Sequence, residues 1–394
     1  RRVLFRSMRK LESIQAAVQW LRYAKATALR TDSRRLETGD AFVAWPGTAV
    51  DARTYVPQAL QSGAVAALVE HEGAQAFALE SERIATYAGL KADAGLIASA
   101  FYSEPSQELP VLAVTGTNGK TSTAWWLAQA LSANALVEAK PCGVIGTLGV
   151  GRPPKVESTG LTTPDPVLLQ HTLRQFLDQG LRACEMEASS IGIEEQRMAG
   201  TTLRVAIFTN FTQDHLDYHG GMEAYWAAKR KLFAWPGLKH AVLNIDDLQG
   251  AALAAELAGQ LDVWTVSSQQ DARLQARNIQ HTGAGMAFDV VEHGESHTLR
   301  THAIGQYNVA NLLGVIAAIR CLGIPLGEAV AACSTLLPVP GRMECVGGQG
   351  APLVAIDYAH TPDALSQALQ ALRPVAQARG GRLWVVFEIG RAHV

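Results

Sequence analysis

The chain has 394 residues, of which 48% are hydrophobic and 18% charged, with a formal net charge of -2. That length exceeds what one core organises, so two or three domains are expected, and the near-neutral balance excludes a chain-wide field for nucleic acid or anionic membrane. Cys142, Cys184, Cys321, Cys333 and Cys345 form no CxxC pair, and neither a long apolar run nor a signal peptide stands out, so the sequence reads as a cytoplasmic protein with reduced thiols.

The two ends read as foreign. Arg1 to Ser7, RRVLFRS, can be encoded by AGA CGT GTG CTC TTC CGA TCT. The reverse complement, read from its third base, encodes IGRAHV, which is Ile389 to Val394. Residues 1–7 and 388–394 are therefore expected to be translated adapter.

In the first domain, expected over residues 8–105, Ile14, Ala17, Val18 and Leu21 recur at helical spacing. The loop from Thr31 to Gly47 carries a Gly39-Asp40 turn, a strand Ala41 to Trp45 and a Pro46-Gly47 stop. A helix over Val56 to Gln61 and a strand over Ala64 to Val69 complete a small α/β unit. The polar, proline-bearing segment Ser103 to Pro110 marks a boundary.

The second domain, residues 106–338, opens with a strand Val111 to Thr115, the turn GTNGKT and a helix from Thr121 to Leu131, the order a phosphate loop requires. Gly116, Thr117, Asn118, Gly119 and Ser122 would line the phosphates with their backbone. Lys120 would reach a terminal phosphate, and the Thr121 hydroxyl would face magnesium. The usual pattern has glycine where this chain has Val114. Further strands are expected at Val205 to Phe208, Ala241 to Ile245 and Val263 to Val266, with helices at Met222 to Phe233 and Asn308 to Cys321. This alternation predicts an α/β fold with a mainly parallel central sheet. After the Pro338 to Gly341 turn, Leu353 to Ile356 and Leu383 to Phe387 read as strands of a third, Rossmann-like unit over residues 339–387.

Three further motifs carry chemistry. EMEASS, Glu185 to Ser190, and NFTQDHLDYHG, Asn210 to Gly220, place carboxylates and imidazoles after strand ends, which suits a hard cation beside nucleotide phosphates. YWAAKRKLF, Tyr225 to Phe233, sets Lys229 on a helix downstream.

Taken with TGTNGKT, these motifs resemble the Mur ligases, more specifically the MurE type, over nearly the whole authentic chain. The resemblance implies a three-domain ligase that uses ATP and Mg2+ to add the third amino acid to UDP-N-acetylmuramoyl-L-alanyl-D-glutamate through an acyl phosphate. Glu187, His215 and a carbamylated Lys229 would join Thr121 as metal ligands, and Lys120, Lys229 and His215 would be catalytic. The family's histidine after the two serines is Ile191 here, so no role carries over to it. Asn308 and Asn311 of GQYNVANLLG, Arg342 of PGRME, and Asp357 and His360 of DYAHTPDAL match residues near the ATP. Thr162 and Thr163 of TTPDP, together with Ser189, match contacts to the muramoyl-peptide, and Ser33 and Arg34 of DSRRLETGD match a uridine-diphosphate loop. A monomer is expected, with no nucleic-acid or membrane partner. MurF, folylpolyglutamate synthetase and a non-ligase P-loop ATPase are the alternatives. The acceptor, diaminopimelate or lysine, is set in this family by a DNPR-type motif that this sequence lacks; meso-diaminopimelate is the commoner choice. The third unit stops early enough that the chain as written is not expected to complete the ligation.

Overall fold

The computed structural model describes residues 8–47, 50–79, 81–282, 285–347 and 350–387. Both stretches read as adapter lie outside the described residues. By its contacts the chain divides into two compact units, Arg1–Thr115 with Glu138–Ile207 and Leu216–Ala241, and Gly116–Val137 with Phe208–His215 and Val242–Val394.

The first unit begins with β1 (Arg9–Leu11) and α1 (Ile14–Tyr23), whose N-terminus is capped by the Ser13 hydroxyl accepting from the Ala16 amide. Then follow β2 (Leu29–Arg30), β3 (Ala41–Ala44), α2 (Val56–Gln61), β4 (Ala66–Glu70), β5 (Ile84–Tyr87), α3 (Leu90–Phe101) and α4 (Pro105–Glu108). The boundary segment thus carries one helical turn, which Pro105 at its start favours. The strands form a parallel sheet in the order β1-β5-β4-β3-β2. Its strands are covered on both faces: Ala41 and Val43 point into one apolar cluster with Leu21 and Ile97, Phe42 and Ala44 into another with Val56 and Ala59.

Next along the chain come β6 (Val111–Thr115), α5 (Lys120–Leu131), β7 (Cys142–Gly146), β8 (Gly149–Arg152), β9 (Lys155–Glu157), α6 (Pro166–Asp178), β10 (Ala183–Glu187), α7 (Ser190–Glu194), β11 (Val205–Phe208), α8 (Leu216–His219) and α9 (Met222–Arg230). Within the first unit the strand order is β11-β6-β10-β7-β8-β9, with β6, β10 and β7 parallel and β7, β8 and β9 antiparallel. The core of this sheet is parallel, as the alternation predicts, and its hairpin edge is an addition.

The second unit contributes α5 together with β12 (His240–Asn244), α10 (Leu248–Leu257), β13 (Asp262–Ser267), β14 (Leu274–Thr282), β15 (Gly285–Glu292), β16 (Glu295–Thr301), α11 (Tyr307–Cys321), α12 (Leu326–Cys333), β17 (Glu344–Gly347), β18 (Leu353–Ile356) and α13 (Pro362–Ala378). β12 to β16 lie in sequence order, β13 and β14 parallel and β14 to β16 antiparallel, while β17 and β18 pair as a hairpin. One expectation is corrected: Leu383 to Phe387 is not a strand. Trp384 is 80% and Val386 98% exposed, so neither a ladder partner nor a covering layer supports the apolar alternation there. No helix among the described residues is long and apolar enough to cross a membrane.

Candidate active site

β6 delivers the chain into the turn Gly116–Gly119, where Gly116 has φ +144° and Gly119 φ +85°. A Cβ on Gly116 would fall on the Thr209 hydroxyl, and one on Gly119 on the Asn311 amide oxygen, so two close approaches exclude larger residues. The turn is anchored to the segment after β11. Thr117 N–H donates to the Asn210 carbonyl (2.8 Å), Asn118 N–H to Asn210 Oδ1 (2.9 Å), and the Thr209 hydroxyl to the Asn118 carbonyl (2.6 Å). No side chain caps α5, which leaves its first amides directed at the turn, and Lys120 Nζ donates to the Gly116 (2.9 Å) and Thr117 (2.8 Å) carbonyls.

The other residues matched to the ATP site gather round this turn. Asn311 and Asn308 lie buried on α11 and share a hydrogen bond (Nδ2 to Oδ1, 3.0 Å). Arg342 donates to the Thr121 hydroxyl (3.1 Å) and stacks over Tyr358 at 4.6 Å, and Asp357 accepts from the Met343 amide (2.8 Å). His360 and His215 both face Asp214, at 3.8 and 3.5 Å, and His215 holds a left-handed φ of +50°, uncommon for a side chain of that size. Asp363, at the start of α13, comes within 3.4 Å of the Asn118 amide; nothing in the sequence singled it out.

In the first unit, Glu187 ends β10 with 1% exposure. It accepts from the Thr147 amide (2.8 Å) and hydroxyl (3.1 Å) in the β7–β8 turn, and Gly146 opposite it has no room for a Cβ. Thr147 also meets Thr162 (3.0 Å). Thr163 donates to the Glu187 carbonyl (2.7 Å) and lies 3.0 Å from the Ser189 hydroxyl, which caps α7 by accepting from Gly192 N–H. TTPDP and EASS are thus brought together. Thr147 was missed, because a turn threonine gives no signal without the register of its hairpin. Lys229 is 1% exposed, with Nζ 4.3 Å from the Tyr225 ring centroid. Glu185, two residues before Glu187, is fully buried with neither oxygen hydrogen-bonded, and burial drives its carboxyl well above the usual range.

A cleft of about 490 Å³ opens in the same unit between Arg30, Thr31, Arg34 and Arg35 on one side and Thr159 and Asp165 on the other. Arg34, 87% exposed, is held by Asp32 (2.8 Å), and the guanidinium's hydrogen bonds keep that carboxyl below its usual range. Ser33 begins the same short turn and does not line the cleft. Three guanidiniums on one wall suit a diphosphate. Among the described residues, no three His, Cys, Asp or Glu side chains cluster as a ready-made cation site.

The catalytic domain of the Mur ligase family matches residues 25–115, the Mur ligase middle domain residues 114–319, and the glutamate ligase domain residues 341–392. The chain is similar to the UDP-N-acetylmuramoyl-L-alanyl-D-glutamate--2,6-diaminopimelate ligase of Acidovorax sp. (strain JS42), 58% identical over 98% of this chain and 77% of that protein. A solved structure bearing the same ligase name superposes with a TM-score of 0.72 at 32% identity, covering 88% of this chain and 70% of the other. The MurF ligase of Thermotoga maritima in complex with ADP, 19% identical with a TM-score of 0.67 over 89% of this chain and 75% of its own, shares the fold.

Proposed function

This chain belongs to the Mur ligase family, and we propose that it joins 2,6-diaminopimelate, as the meso isomer, to UDP-N-acetylmuramoyl-L-alanyl-D-glutamate. It is an ATP-dependent, ADP-forming ligase of peptidoglycan biosynthesis. The working division is 8–105 for the uridine nucleotide, 106–338 for ATP and 339–387 for the start of the ligase domain, supported by the order of the three family segments. The proposed compartment is the cytoplasm, where ATP and uridine nucleotides are made.

The observation that carries the reading is the phosphate turn: Gly119 pressed against Asn311, with Arg342 bonded to Thr121 at the start of α5. Lys120 and Arg342 bring two cations to the start of a helix with no side-chain cap, which suits a triphosphate. ATP, when bound, supplies the phosphoryl group that turns the D-glutamyl side-chain carboxylate into an acyl phosphate, which the acceptor amine then attacks with loss of phosphate. Lys120 and Arg342 would offset the charge that develops during this transfer. Thr162, Thr163 and Ser189 would orient the muramoyl-peptide through hydroxyls that already share hydrogen bonds with one another or with Thr147. Arg34 would hold the uridine diphosphate, and Ser33, outside the cleft lining, would act by starting the turn that carries it. Asn308, Asn311, Asp357 and His360 would border the adenosine and phosphates.

For magnesium, the donor types are suitable: the Thr121 hydroxyl, the Glu187 carboxylate, the His215 imidazole and a carbamylated Lys229 are the proposed ligands, oxygen and imidazole donors of the kind a hard cation takes. Its charge would complement that of the phosphates. The Thr147 pair of hydrogen bonds fixes the direction of the Glu187 carboxylate.

The test measures phosphate release with ATP, the nucleotide-dipeptide and diaminopimelate, omitting each in turn. It is run for this chain and for a form extended by the remaining C-terminal residues of the Acidovorax relative. Release that requires all three supports the ligase. Release without an acceptor, or an equal rate with lysine, overturns the function or the acceptor respectively.

A further inference from the structure

Tyr218 and His219, at the end of α8 before the lysine helix, have no part in the chemistry proposed above, yet both are tied down. The Tyr218 hydroxyl donates to Glu195 Oε1 (2.7 Å), and the other oxygen of Glu195 is bound by Lys91 of α3 (2.6 Å). His219 Nε2 shares a hydrogen bond of 2.9 Å with the hydroxyl of Ser190, a residue 1% exposed. The imidazole meets the Tyr218 ring edge-on at 4.8 Å and lies tilted on the Tyr225 ring at 5.2 Å. Tyr225 is fully buried, and Lys229 Nζ lies 4.3 Å from its ring centroid. A row of side chains therefore runs from an ion pair on α3, through Tyr218, His219 and Tyr225, to the buried amine.

We infer that His219 is a positioning residue for Lys229: bound to Ser190 and stacked on Tyr225, it holds the tyrosine ring against the lysine and so governs how readily that lysine is modified. The inference rests on the reading of Lys229 as the carbamylated lysine. The face of an aromatic ring carries negative charge density, so it favours an ammonium and disfavours a carbamate at the same distance. Carbamylation takes the ammonium to the neutral amine with loss of one proton, then forms a bond between Nζ and the carbon of carbon dioxide with loss of a second proton to solvent, and the anion so formed must leave the ring face. A ring pressed firmly on the amine retards that exchange; a loosened ring permits it. Ser190 follows Ser189, which is matched to the muramoyl-peptide, so the hydrogen bond to His219 joins that segment to α8, and the His219–Tyr225 ring contact continues to the lysine helix.

The experiment uses this chain with 13C-labelled carbon dioxide and follows the carbamate resonance, assigned by its loss in Lys229→Ala. His219→Ala is expected to raise the apparent affinity for carbon dioxide by about threefold, the size of a modest cation–π contribution. Ser190→Ala and His219→Phe each remove the hydrogen bond while keeping a ring, and should give smaller, equal shifts that do not add in the double variant. If His219→Ala does not fold, the Ser190→Ala and His219→Phe pair decides the matter. A visible carbamate whose occupancy is the same in all variants overturns the positioning role and leaves the carbamylation standing. Absence of any carbamate signal from the unsubstituted chain overturns the carbamylation, and this inference with it.

Discussion

Gly119→Ala perturbs the phosphate turn at one atom. The residue sits at φ +85°, where an L side chain costs about 1–2 kcal/mol. The new Cβ would also fall on Asn311 Oδ1 and within 3.1 Å of Asn311 Cγ and Nδ2. Asn311 cannot turn aside freely, being 5% exposed with its Nδ2 bonded to Asn308 at 3.0 Å; moving it forfeits a hydrogen bond worth about 1 kcal/mol. Together these come to about 2–3 kcal/mol. The free variant relieves the strain by letting the turn leave its nucleotide-ready shape, so the cost reappears when nucleotide binds. Affinity for ADP should therefore fall roughly 30- to 150-fold at about 1.4 kcal/mol per decade. Titration calorimetry with ADP reads this directly. Gly180→Ala is the control: φ is +77° and a Cβ there meets nothing within 4 Å, so stability should drop while nucleotide affinity holds. Wild-type ADP affinity in Gly119→Ala would refute the argument that this turn, in this shape, is the phosphate site.

Lys120→Ala should cut turnover by roughly 10² or more in the extended enzyme with the circular dichroism spectrum unchanged, and near-normal phosphate release would exclude the lysine from the phosphates. Arg34→Ala should raise the KM for the uridine nucleotide about tenfold while kcat stays within about twofold, since the cleft is proposed to take the uridine diphosphate and not the reacting carboxylate; a selective fall in kcat would contradict this. Glu185→Gln should change the pH dependence of stability. Burial raises the Glu185 carboxyl above its ordinary 4.5, so the folded state keeps a proton that the unfolded chain releases. Its contribution is then fully present below about pH 4.5 and lost as pH rises through the folded value. Urea denaturation should show the Gln variant gaining on the parent from pH 4.5 upward, and a pH-independent difference would show that Glu185 is not the group responsible.

Much of the scaffold was legible in the chain because its signals are local. Val111–Thr115 and Val56–Gln61 fall where apolar runs and flanking turn residues put them, and the phosphate helix begins at Lys120, one residue ahead of expectation. The β7–β8–β9 hairpins and the long β14–β16 meander were not read. Their alternation is weak (Gly149–Arg152 is GVGR, Leu274–Thr282 is LQARNIQHT), and pairing between neighbours, more than propensity, makes them strands. Leu383–Phe387 shows the converse, strand-like composition without a partner. For the site, the motif residues were legible as types, whereas their supports were not: Thr209, Asn210, Thr147 and Asp363 act through contacts far apart in sequence.

The pair of glutamates on β10 shows why spacing alone could not assign them. Glu185 and Glu187 are two apart, so both project from one face of the strand, and either is chemically a cation ligand. Register separates them. Glu185 pairs across to Val144 and Leu112, in the middle of a sheet buried on both faces, where no donor reaches it and its proton is retained. Glu187 stands two pairs further, beside the glycine that ends β7, where the chain turns and Thr147 offers both an amide and a hydroxyl. Two hydrogen bonds thus fix the carboxylate at the strand end, whereas none holds that of Glu185. With Glu187 as the proposed magnesium ligand, exchanging Thr147 for valine should raise the magnesium concentration needed for half-maximal phosphate release while leaving the Glu185 contribution to stability unchanged, because the difference between the two acids lies in one turn and not in the strand that carries them both.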